Sequence, residues 1–102
     1  MPVPLSDGIE RRLALMFRGR GLDDARALLG TECAETLPFS TPTPEGLERI
    51  RCACLKLSGG HVGRLRAAVR EARIDWRDVL VAAGFGHDVH AHEAWWPDPP
   101  GA

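Results

Sequence analysis

The sequence predicts an all-α fold, a compact bundle of four to five short helices followed by a proline-rich C-terminal tail. Three observations predict it. Apolar side chains recur at helical spacing in several separate stretches. Most of those stretches open on a capping residue or a proline suited to the first turn, and they close on glycine. No segment alternates apolar and polar residues as a half-buried strand would. The 102 residues make one domain. The expected division is a helical domain over 1–86 and a His/Trp/Pro-rich segment over 87–102, docked or partly disordered.

The first helix is expected to start near Asp7. Asp7 and Glu10 stand at N-cap and N3, a variant of the capping box. Ile9, Leu13, Met16 and Phe17 then form one apolar face, and Gly19 and Gly21 end it. A second helix of about two turns covers Leu22 to Leu29, with Asp23 as a cap and Gly30 past its end. Thr31 to Leu37 has room for another turn or two before Pro38, Pro42 and Pro44 interrupt regular structure. Phe39 is the anchor of that connection. The third helix runs Pro44 to Ser58, with Thr43 as its cap and Glu45 beside the positive helix end. Leu47, Ile50, Cys54 and Leu57 are its apolar face, and Gly59-Gly60 stops it. The fourth runs from about Val62 to Arg73 and buries Val62, Leu65, Ala68, Val69 and Ala72. A break at Ile74-Asp75 follows. Asp75 and Asp78 then open a last short helix from Trp76 to about Ala83, closed by Gly84. In the tail, Trp95 and Trp96 are the residues able to dock.

Two of these stretches resemble a pattern found in small bacterial helical proteins with no assigned activity. They are Glu48-Arg49-Ile50-Arg51-Cys52-Ala53-Cys54-Leu55-Lys56-Leu57-Ser58-Gly59-Gly60 and Asp75-Trp76-Arg77-Asp78-Val79-Leu80-Val81-Ala82-Ala83-Gly84-Phe85. The resemblance covers residues 45–85 and implies a compact helical domain. His61 stands where that pattern has an Asp or Asn cap.

The net charge of −1 excludes a bulk polyelectrolyte. That total conceals an uneven distribution. Between Arg49 and Arg77, eight basic side chains face only Glu71 and Asp75, so this stretch carries +6 between acidic flanks of −3 and −4. Twelve arginines stand against one lysine, and Asn, Gln and Tyr are absent, a bias typical of a GC-rich bacterial genome. No run approaches the ~20 apolar residues of a membrane span, and the N-terminus has no signal-peptide pattern. Three cysteines in an odd set are not a disulfide framework. A cytoplasmic protein with reduced thiols is expected.

Several constellations bear on function. Arg66, Arg70 and Arg73 fall at i, i+4 and i+7, a basic edge able to meet an acidic protein or nucleic-acid phosphates. Side-chain amides that would read adenine are missing. His87, His90, His92 and Glu93 carry ligand types suited to zinc, although their spacing matches no standard site. Cys52 and Cys54 lie ~200° apart on a helix, so they cannot chelate one ion. Cys54 is expected in the core and Cys52 on the polar side, where Arg49 and Lys56 would favour its thiolate. Leu57-Ser58-Gly59-Gly60 looks like the signature of ABC-type ATPases, but no phosphate-binding loop accompanies it. No catalytic motif or cofactor fingerprint is present.

The expected function is therefore a non-enzymatic protein–protein interaction module without cofactor, binding a protein partner or itself through Arg66, Arg70, Arg73, Trp95 and Trp96. Nucleic-acid binding by the basic helix and metal binding by the histidine cluster are the alternatives. Removing the tail after Phe85 is expected to leave the fold intact.

Overall fold

The computed structural model describes residues 4–33, 44–88 and 90–97. Five α-helices occur among them, in the order α1 (Asp7–Met16), α2 (Gly19–Ala27), α3 (Pro44–Ser58), α4 (Val62–Ala82) and α5 (Ala91–Ala94). No strand occurs among the described residues. Phe39 and the turn expected over 34–37 lie outside them.

The cap of α1 is Ser6, not Asp7. The Ile9 amide donates to Ser6 Oγ at 3.1 Å, and the same hydroxyl donates to the Glu48 carboxylate on α3 at 2.7 Å. One side chain thus ends a helix and ties it to its neighbour. Ile9 and Leu13 are fully buried, as their spacing predicts.

The following break is earlier than the glycines suggest. Phe17 and Arg18 are extended, and Gly19, at φ +57°, opens α2 rather than closing α1. Asp23 is consequently inside α2, within 3.8 Å of Arg26, and caps nothing. Arg26 also reaches back to Glu10 on α1 at 3.0 Å. Gly30 does not stop the chain either. Leu28–Glu32 continues as a wider, π-helical turn in which the Cys33 amide donates to the Leu28 carbonyl at 3.1 Å. Leu28, Leu29 and Cys33 all stay in the core this way.

Helix α3 is the centre of the molecule. Leu47, Ile50, Arg51, Cys52, Ala53, Cys54, Leu55 and Ser58 are all buried, because α1, α4 and α5 each pack against it. The single apolar stripe read from the sequence understates this, and Leu57 from that stripe is only half-buried. The helix ends where predicted. Gly59 and Gly60 have φ +57° and +86°, and a Cβ on Gly60 would stand 3.2 Å from the Met16 carbonyl.

Helix α4 starts at Val62, after His61, whose side chain does not cap it, and breaks where the sequence places the break. Asp75 leaves the helical region (φ −150°, ψ 98°), and its carboxylate accepts from the Arg77 amide at 3.0 Å. Leu65, Ala68, Val69 and Ala72 before the break, and Val79 and Leu80 after it, enter the core. Gly84 (φ +80°) closes the run.

Candidate functional site

Arg12 organises the C-terminal segment. It stands three residues after Ile9, on the apolar face of α1, and is only 4% exposed. Its Nε donates to the Trp95 carbonyl at 3.1 Å, and its Nη2 donates to the carbonyls of Trp95 at 2.9 Å and His92 at 3.1 Å. Both carbonyls lie at the end of α5, where a helix runs out of regular donors, and that of His92 also accepts from the Trp95 amide at 3.2 Å. The guanidinium also lies 3.8 Å from the Trp96 ring centroid, a cation–π contact at close range. Trp95 turns inward and sits 6.3 Å from the Phe85 ring. Trp96 remains 45% exposed.

Trp96 forms one wall of an open cleft of about 650 Å³. Leu15 and Met16 at the end of α1, Arg18, Lys56 and the Gly59–Gly60 turn supply the rest, with Trp95 and Pro97 beside Trp96. Leu15 is 37% exposed and lines the cleft together with the exposed Trp96. The charged residues lining the cleft are Arg18 and Lys56, and no described carboxylate lines it.

The basic middle of the chain divides into two groups. Arg49 donates to the carbonyls of Phe85 and, at 3.5 Å, Asp88. Arg51 is buried and donates to the carbonyls of Cys33 and Pro4, both at 3.1 Å. Lys56 and Arg77 lie over the rings of Phe85 and Trp76, at 5.0 and 5.4 Å. Arg66, Arg70 and Arg73 are exposed, as are Lys56, Arg64 and Arg77, and the three lie in the common alignment their spacing predicts. Arg66 shares a second cleft with Asp24 and Glu32 from the α2 side, so part of the basic edge faces the chain's own acids. Arg66 and the tryptophans line different clefts.

A third, apolar groove of about 380 Å³ lies in the elbow of α4, floored by Leu57, Ala67, Ala68, Val79 and Ala82 and edged by Arg64, Glu71 and Asp78. Ile74 and Val81 on α4 are also strongly exposed.

The histidines do not converge. His87 and His90 are exposed, with His90 Nδ1 3.4 Å from the Glu93 carboxylate, whereas His92 is buried. Among the described residues no group of three or more His, Cys, Asp or Glu side chains is placed to hold a metal ion. Burial lowers the pKa of His92; Glu93 and then Glu48 oppose this, and the cations of Arg12 and Arg49 add smaller effects in the lowering direction.

The expected position of Cys52 is corrected. It is fully buried, and burial pushes its thiol up to about 12. A hydrogen bond with Cys33 and burial likewise raise Cys54. Lys56 and Arg49 therefore do not make Cys52 a reactive thiolate, since the centre of the bundle excludes the water that would solvate it.

The sequence reading missed Arg12. The signal was present: an arginine between Ile9 and Leu13 interrupts an apolar stripe, and a cation placed there needs acceptors. No protein-family model, curated protein or solved structure matches the chain. No helix among the described residues is long and apolar enough to cross a membrane.

Proposed function

We propose that this is a bacterial, cytoplasmic protein-binding module that performs no chemistry of its own and works by docking to another protein. The observation that carries this reading is Trp96. It is held from beneath by a buried arginine and remains 45% exposed beside Leu15. A fixed, half-exposed tryptophan is a suitable interface anchor, because little side-chain entropy remains to be lost on binding. Trp95 supports it from the core side. Arg66, Arg70 and Arg73 supply a separate charged contact.

The test is site-specific photo-crosslinking in the source cells, with a benzophenone side chain at Leu15, at Arg70 and, as a control, at Asp23. A discrete protein adduct at Leu15 or Arg70, absent at Asp23, is the expected result. The purified pair should then associate at least tenfold more weakly with Trp96→Ala. Absence of a protein adduct at both positions overturns the reading.

The exposure of Arg66, Arg70 and Arg73 favours nucleic-acid binding as the second reading. It predicts affinity that falls steeply with salt, with a shallower slope in Arg66→Ala/Arg70→Ala. No binding of DNA or RNA at low salt removes it.

A further inference from the structure

We propose that the cleft between the end of α1, the Gly59–Gly60 turn and Trp96 receives an acidic segment of a partner protein, with one large apolar side chain between acidic neighbours. This rests on the protein-binding reading above and specifies the partner's chemistry.

The first argument is charge. Arg18 and Lys56 line the cleft without a described carboxylate among the lining residues. Arg64, on the rim of the neighbouring groove, brings its Nη1 3.8 Å from the point a Cβ on Gly59 would occupy, so it stands near the turn without lining the cleft. Arg18 and Lys56 are exposed and neither has an ion-pair partner among the described residues, although Lys56 also lies over the Phe85 ring, so an incoming carboxylate meets cations without displacing an internal carboxylate. In a chain of net charge −1, such a local excess is a steering field for a short acidic segment.

The second argument is shape. The turn contributes two glycines and no side chain, so backbone forms that part of the cleft. The walls are the apolar surfaces of Leu15, Met16 and Trp96. An aromatic or long aliphatic side chain laid against Trp96 buries apolar area on a surface already ordered by Arg12.

The same features disfavour nucleic acid at this cleft. Tight binding to a phosphate backbone draws on a longer row of cations. Leu15 and Met16 also offer bases no stacking surface, and one face of Trp96 is already taken by Arg12.

The experiment is selection of a random-peptide phage library on the immobilised full chain, in parallel with Trp96→Ala. The best peptide and a fluorescein-labelled ten-residue oligo(dT) are then titrated by anisotropy. Selected peptides should be rich in Asp and Glu around an aromatic or aliphatic residue and should be lost on Trp96→Ala. Arg18→Glu/Lys56→Glu should weaken the best peptide at least tenfold, and Arg66→Glu/Arg70→Glu less than twofold. Circular dichroism melts establish that each variant is folded. Peptides of basic or indifferent charge that still require Trp96 overturn the acidic partner while leaving protein binding intact. Oligo(dT) binding that needs Trp96, without acidic peptides, assigns the cleft to nucleic acid and also overturns the proposal. Failure to select any peptide overturns it as well, whereas the protein-binding reading falls only if crosslinking yields no protein adduct.

Discussion

Arg12→Ala is the most informative single perturbation of the fold. The guanidinium makes three hydrogen bonds to two carbonyls and stacks on Trp96 while almost completely buried. A hydrogen bond involving a charged group contributes about 1.5–3 kcal/mol, and a buried carbonyl left without a partner loses about 1–3 kcal/mol. The cation–π contact adds about 0.5–2 kcal/mol. Opposing these is the desolvation of the cation, several kcal/mol, which the alanine variant no longer bears. The freed carbonyls also regain water if α5 lifts away. The net expectation is a loss of about 2–4 kcal/mol. In a domain of this size that lowers Tm by about 10–25 °C. Urea unfolding followed by circular dichroism at 222 nm measures the loss, and native-state hydrogen exchange locates it. The amides of Glu93 and Trp95 should lose protection before those of α3. Arg66→Ala, an exposed control, should stay within about 0.5 kcal/mol of the parent. An Arg12→Ala variant equally close to the parent, with tail amides as protected as before, would refute the argument that Arg12 clamps the tail.

Three further predictions follow from the same packing. Removing the chain after Phe85 takes away His92 and Trp95, which cover the core beside Phe85, so the truncated chain should melt well below the full one rather than fold unchanged. For His92 the folded pKa lies below the unfolded one, so its contribution is complete above the unfolded value of about 6.5 and declines as pH falls towards the folded value. His92→Leu should flatten the stability profile between pH 7 and 5, and an unchanged difference from wild type across that range would contradict the assignment. The three cysteines should resist iodoacetamide in the native protein at pH 8 and all react in urea, because burial raises Cys52 to about 12. Native-state alkylation of Cys52 faster than global unfolding allows would show that α3 is not the shielded centre described.

The elements most legible in the sequence are those set by local chemistry. Gly59-Gly60 requires backbone angles that glycine adopts readily, and Asp75 places a capping carboxylate exactly where helical periodicity changes phase, so the turn and the break in α4 fall where expected. The cap of α1 is missed by one residue because Ser6 and Asp7 are both competent caps. The choice between them is made by Glu48, forty-two positions away. The opening of α2 is missed because glycine can end a helix or begin one, and Gly19 at φ +57° begins one here. Cys52 is misplaced for a tertiary reason: periodicity identifies a most-buried face, but a central helix is covered on several sides. The candidate site was half legible. Trp96 and the exposure of Arg66, Arg70 and Arg73 follow from composition and spacing. The cleft does not, because α1, the α3–α4 turn and the tail meet there through contacts of long sequence separation.

The arginines show how these separate pieces are joined. Arg12 holds the carbonyls of His92 and Trp95, Arg49 those of Phe85 and Asp88, and Arg51 those of Cys33 and Pro4. Each of the three projects from a helix and collects carbonyls from a segment lacking a full set of regular backbone partners. Such carbonyls must be satisfied when they leave water. Side-chain amides often do this, but the chain has no Asn or Gln. The planar guanidinium, with five donors on a long stem, takes over the task. Part of the +6 charge of the middle stretch is therefore structural cement that no partner meets. The arginines available for recognition are among those with water around them, such as Arg66, Arg70 and Arg73 on α4 and Arg18 beside the Trp96 cleft. Lysine at position 51 would keep the charge but provide one donor atom instead of a fork, and it could not reach both Pro4 and Cys33 in the same geometry. Charge conservation alone is thus the wrong criterion for substitutions at the buried arginines, and it is the right one at the exposed set.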